Sequence, residues 1–169
     1  IGNDLRDITI KNDAINAECT DAYFASKVIK IENSAAQDIV LTRPYGKVRV
    51  IATDLAELNL NVDPASVKVT YEAFHPMAFN AVNGVLSTQQ MTGNELSYGY
   101  TVDKNAPYNE GYDSISTNQT LFADYILAKE GEQIAVNFKM AVYEDAAKTR
   151  LIKETDFNTQ IPVQRNYLT

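Results

Sequence analysis

An all-β fold, an antiparallel β-sandwich, follows from three observations on this sequence. Short segments rich in β-branched and aromatic residues carry apolar side chains at alternate positions. Gly, Pro, Asn and Asp punctuate them. No amphipathic helical segments alternate with them, as a parallel α/β sheet requires. Residues 1–169 make most simply one domain, since a unit of this length buries roughly 70% of its unfolded surface. No Pro/Gly/Ser-rich linker, internal repeat or low-complexity run divides the chain.

In chain order, Thr20–Ser26 reads either as one or two helical turns capped by Thr20 or as a strand alternating Tyr23 and Ala25. Val28–Glu32 and Asp38–Thr42 are strand candidates. The run LTRPYGKVRVIATD, Leu41–Asp54, has punctuation at both ends. Pro44 lacks an N–H and belongs at a strand start or edge, and it holds Arg43 extended. Lys47–Thr53 then places Val48, Val50 and Ala52 on one side and Lys47, Arg49 and Thr53 on the other. Asp54 stops the strand, and Asp54-Leu55-Ala56-Glu57 has capping-box spacing for a single turn.

Ser66–Glu72 and Leu96–Val102 are further strand candidates. Thr120–Ala128 is apolar on both sides and reads as a central strand. The polar link Lys129–Gln133, with Gly131, predicts a hairpin into Ile134–Tyr143, whose strict alternation marks a half-buried strand. In that strand Val136, Phe138 and Val142 are expected to be buried and Lys139 exposed. A second hairpin turns through Glu144–Thr149 into Arg150–Lys153. The final run, IPVQRNYLT from Ile161 to Thr169, repeats the strand grammar, with Pro162 near its start and Asn166 tolerating turn geometry.

Several of these segments, in order, resemble the fimbrillin-type pilus proteins of anaerobic, outer-membrane-bearing bacteria. They are Arg43-Pro44 leading to Lys47-Val48-Arg49-Val50 and Thr53-Asp54, then VKVTY at Val67–Tyr71, Phe79–Gly84, and the terminal Ile161–Thr169. The resemblance covers residues 38–169. It implies a transthyretin-like β-sandwich and a non-enzymatic role as pilus subunit, or as accessory or anchor component, at the cell surface or outer membrane. Other pilus subunits, joined by β-strand addition, and host or bacterial surface ligands are the implied partners. The chain lacks the family's signal peptide, its lipobox cysteine and an upstream strand. It is therefore expected to be a fragment or processed form of a longer secreted chain, either short of one strand or already complete.

A search for chemistry returns little. The net charge of −7 argues against a nucleic-acid partner, which needs clustered Lys and Arg. No apolar run approaches the ~20 residues of a membrane helix. Cys19 is the only cysteine, so no intrachain disulfide is possible, and it reads as a buried, inert thiol. His75, beside Pro76, is a turn residue and cannot build a multi-histidine metal site. Nucleophile-elbow, phosphate-loop and dinucleotide motifs are absent. With 22 acidic residues, a convergent carboxylate pair cannot be read from sequence. No catalytic, cofactor or metal residue is assigned, and no enzyme activity is expected.

Tyr98, Tyr100, Tyr108 and Tyr112, with Gly99 and Gly111, form one candidate interaction loop. Tyrosines on loops stack on sugars or anchor interfaces, which would suit a surface glycan-binding module; packing within a strand accounts for Tyr98 and Tyr100 equally. Asp103, Asn105, Asn109, Glu110 and Asp113 add oxygen ligands there, but Tyr108 stands where a calcium loop needs glycine. Asn118-Gln119-Thr120 matches the N-glycosylation acceptor. Asp113-Ser114-Ile115 resembles the O-glycosylation signal of the bacteria that make these pili.

Overall fold

The computed structural model describes residues 5–9, 22–31, 36–52, 64–71, 76, 78–86, 97–101 and 119–169. Nine strands run through them: β1 Ile8–Thr9, β2 Tyr45–Ala52, β3 Ser66–Tyr71, β4 Ala78–Asn80, β5 Val85–Leu86, β6 Ser97–Thr101, β7 Gln119–Leu127, β8 Gln133–Tyr143 and β9 Leu151–Gln164. The fold is all-β, with sheets ordered β6-β3-β8-β9, β2-β7 and β1-β4-β5, and every strand pair is antiparallel. No helix occurs among the described residues. Residues 22–26 are not helical, and Phe24 bridges Thr42, so the helical alternative there is not taken. Asp54–Glu57 lies outside the described residues.

The alternation in β2 and β8 sets which sides meet. Val48 from β2 and Phe122 and Ile126 from β7 share one core with Val67, Val69 and Tyr71 of β3 and Val136, Phe138 and Met140 of β8. Phe138, wholly buried, is its centre. Its ring meets Phe122 edge-on at 5.3 Å and Tyr71 at 5.8 Å, and stacks on Phe157 at 4.9 Å. Val142 and Lys139 are both half-buried, so the strand's two faces differ less at its far end than alternation predicts. Tyr45, Phe79 and Leu127 form a second cluster on the other side of β7, which is why that strand is apolar on both sides.

The expected β7–β8 hairpin is not formed. β7 pairs with β2, β8 pairs with β3 and β9, and residues 128–132 carry the chain from one sheet to another. Gly131, at φ 72°, and the Glu132 N–H bonded to the Lys129 carbonyl make a tight turn. Such a link serves an arch as readily as a hairpin. What decides is burial: inward residues of β7 must face β8, as Phe122 faces Phe138, and they do so only from a separate sheet.

The second hairpin is formed, but its return strand is longer than expected. β9 runs unbroken from Leu151 through Ile161–Gln164. It tolerates Pro162 at a sheet edge and takes up a bulge at Gln160 (φ 56°), whose N–H is held by Asn137 Oδ1 at 3.1 Å. Asn166, at φ 64°, then turns the chain back. Residues 167–169 run alongside β2, which donates from Lys47 to Tyr167 (2.9 Å) and from Arg49 to Thr169 (2.8 Å). One glycine makes this close approach possible. A Cβ on Gly46 would lie 2.7 Å from Val163 Cγ1 and still nearer the Gln164 carbonyl oxygen.

Candidate interaction surface

Residues 22–31 and 36–42 form a two-legged arm beside the sheets. Its root is firmly held. Phe24 and Thr42 exchange backbone hydrogen bonds of 2.9 Å, and the Phe24 ring meets Phe79 edge-on at 4.6 Å. Ala22 N–H donates to the Tyr45 hydroxyl, and Ser26 Oγ donates to the Val82 carbonyl. Arg43 donates to Tyr23 Oη at 2.6 Å. Beneath the root lies Arg165, only 5% exposed. Its guanidinium is over Phe24 and Phe79, at 5.6 and 5.5 Å, and it donates to the carbonyls of Ala128 and Gly84. Burial lowers the Arg165 pKa, and Glu130, an exposed carboxylate 4.0 Å away, opposes that shift.

Beyond the root the arm is aliphatic and bare. Val28 is 98% exposed, Ile31 91% and Val40 78%, with Ile29, Ile39 and Leu41 also exposed. Past the Phe24–Thr42 bridge no ladder continues between the legs among the described residues. Lys27 Nζ ties them together through Gln37 Oε1 (3.3 Å) and the Asp38 carbonyl (3.1 Å). A cavity of ≈ 430 Å³ lies between the arm and the β4–β5 turn, lined by Phe24, Val40 and Val82 together with Lys27, Asp38 and Glu130. That turn is fixed by Asn80, whose Oδ1 accepts from Val82 and Asn83, and by Gly84 at φ 72°. Isolated aliphatic residues on a surface are ordinary, but several together on one projection mark a contact surface.

The second feature is β9, which ends its sheet among the described residues. Glu154 and Asp156 are exposed on one face, while Thr155 and Phe157 are half-buried on the other. The half carrying Gln160 and Pro162 is shielded by a bulge and an imino residue, both devices that blunt a sheet edge. A second register shift falls between Lys153 and Leu151, so regular pairing with β8 runs over residues 153–157.

The sequence-predicted interaction loop is only partly within view. Tyr98 and Tyr100 belong to β6, in register with Val69 and Val67 of β3. Tyr108 and Tyr112, the oxygen-rich stretch 103–113 and the glycosylation-like triplet 113–115 lie outside the described residues. So do Cys19, His75 and Asn118. No group of three or more His, Cys, Asp or Glu converges among the described residues, and no helix there is long and apolar enough to cross a membrane. The sequence reading missed the arm as a surface. Val28–Glu32 and Asp38–Thr42 predict strands, and nothing in their composition says that their aliphatic residues stay uncovered. It also missed Arg165 as the support of the arm root; its place in the terminal motif is the only signal it gives.

Residues 2–169 match a family of unknown function (DUF6562), and the chain belongs to that family. No curated protein and no solved structure matches it.

Proposed function

We propose that this chain is a non-enzymatic, fimbrillin-like structural protein of the bacterial cell surface, a subunit or accessory or anchor component of a pilus that assembles by β-strand addition. Its sheets are read as a transthyretin-like β-sandwich, with β2-β7 facing β6-β3-β8-β9 across the Phe138 core. One observation carries the reading: a bare aliphatic arm and a strand, β9, that ends its sheet among the described residues occur on the same chain. An open edge offers unpaired N–H and C=O groups, and an extended segment from another subunit satisfies them. The sequence resemblance to fimbrillin-type proteins supports the same role, and none of the residues involved needs catalytic chemistry.

The test is location. Antibodies raised against the purified chain should label filaments or the outer surface of intact cells that make the protein. Labelling confined to permeabilised cells would overturn the reading.

A further inference from the structure

Asn83-Gly84 is the only Asn-Gly pair in the sequence, and it stands in the β4–β5 turn on the wall of the cavity beside the arm root. Asn83 is exposed, so water and hydroxide reach it. Its Oδ1 accepts from the Val85 N–H at 3.1 Å. That bond folds the side chain back over the intervening Gly84 peptide, the direction in which an asparagine closes on its own main chain. Gly84 has no Cβ to hinder approach to its nitrogen. We infer that Asn83 is a site of spontaneous deamidation, through which the turn gains a carboxylate and, in the main product, a longer backbone. The inference does not depend on where the chain acts.

The step balances with water as the only co-reactant. Hydroxide takes the Gly84 N–H proton, the Gly84 nitrogen bonds to Asn83 Cγ, and the Cγ–Nδ2 bond breaks to release ammonia. Water then opens the cyclic imide. Cleavage of its bond to Cγ gives aspartate. Cleavage of its bond to the main-chain carbonyl gives isoaspartate, whose backbone runs through the former side chain and is longer by a methylene. One contact opposes ring closure: the Gly84 N–H donates to the Asn80 carbonyl at 2.9 Å and must let go. Conversion is therefore slower in the folded chain than in the unfolded one.

Arg165 gives the modification a consequence. It donates to the Gly84 carbonyl at 3.1 Å, and a Cβ on Gly84 would lie 3.6 Å from the Phe24 ring. A longer backbone displaces that carbonyl from the guanidinium and loosens the arm root. Aspartate adds charge alone.

Incubation of the purified chain at mildly alkaline pH tests this, with peptide mapping by mass spectrometry and isoaspartyl methyltransferase labelling. Aspartate and isoaspartate should accumulate at position 83 of the folded chain, faster at higher pH and faster again in denaturant. Asn83→Gln must close a larger ring, and at an unchanged melting temperature it should stay unconverted. An Asn83 that converts in denaturant but keeps its amide in the folded chain would overturn the inference, because the Asn80 bond then protects it. An amide that survives both conditions would do the same. The deamidated fraction, separated by ion exchange, should be cut within residues 22–31 sooner than Asn83→Asp, which carries the charge on a normal backbone. Equal cutting would overturn the consequence assigned to the arm root.

Discussion

The Tyr71 hydroxyl donates to Asp124 Oδ2 at 2.8 Å, joining β3 to β7. The other oxygen, Oδ1, accepts from the Tyr125 N–H at 2.8 Å. Asp124 is opposite Val48 on β2, beside the apolar core. Burial pushes its pKa from 3.8 up to about 6, although both hydrogen bonds favour the charged form and pull the other way.

A carboxyl with a raised pKa binds its proton more tightly folded than unfolded. Its contribution is complete below the unfolded value and is lost as pH rises through the folded one. Stability should therefore decline between about pH 4 and pH 6 through this group, by at most about 3 kcal/mol, and by less because Asp124 keeps some exposure. Asp124→Asn should remove that slope. Urea denaturation across this range, wild type against variant, checks it; an identical slope in both would refute the assignment.

Gly46→Ala should destabilise the chain by roughly 2–4 kcal/mol, because both atoms in the way are fixed, one of them a backbone carbonyl. Gly131→Ala meets no neighbour within 4 Å and should cost only about 1 kcal/mol for its positive φ. Equal losses by chemical denaturation would mean that β2 and residues 163–164 do not cross so closely.

Phe138→Ala should cost about 3–5 kcal/mol, since three aromatic rings surround a side chain that is wholly buried. Lys139→Ala, at a half-buried position of the same strand, should cost about 0.5–1 kcal/mol. Urea midpoints of the two variants decide whether the inward face is correctly assigned.

Arg165→Met should destabilise the arm root most. It removes a buried guanidinium bonded to two carbonyls and packed on two rings, at a cost of roughly 2–4 kcal/mol. Limited proteolysis should then cut within residues 22–31 sooner than in wild type. Unchanged proteolysis with a lowered melting temperature would confine Arg165 to the β4–β5 turn and Ala128.

Most strands were legible because their signal is local. β2, β3, β6, β7 and β8 lie within a residue or two of the positions predicted by alternation, Pro44 and turn residues. Partner choice was not legible. The Lys129–Gln133 link looks the same whether it joins neighbours in one sheet or spans two, and the arrangement of Phe122 against Phe138 settles that only in three dimensions. The arm shows the converse limit. Val28, Ile29, Ile31, Ile39, Val40 and Leu41 have strand-forming chemistry, yet periodicity reports what a segment could pair with, not whether its own chain supplies the sheet. Gly46 and Arg165 act through residues more than thirty positions away, and no window of sequence contains both partners.

The three residues after Asn166 also set the order in which the chain can assemble. β8 and β9 are joined by a short turn and can pair as soon as both exist, whereas β2 waits for β7, Tyr45 finding Leu127 across about half of the sequence. Its other side is completed only by Tyr167 and Thr169. A nascent chain therefore holds β2 unpaired on both sides until β7 is made, and on one side until residues 167–169 follow. Pairings of such long sequence separation form slowly. That delay postpones closure of the fold until residues 167–169 are in place, so β2 is the last strand to be flanked on both sides.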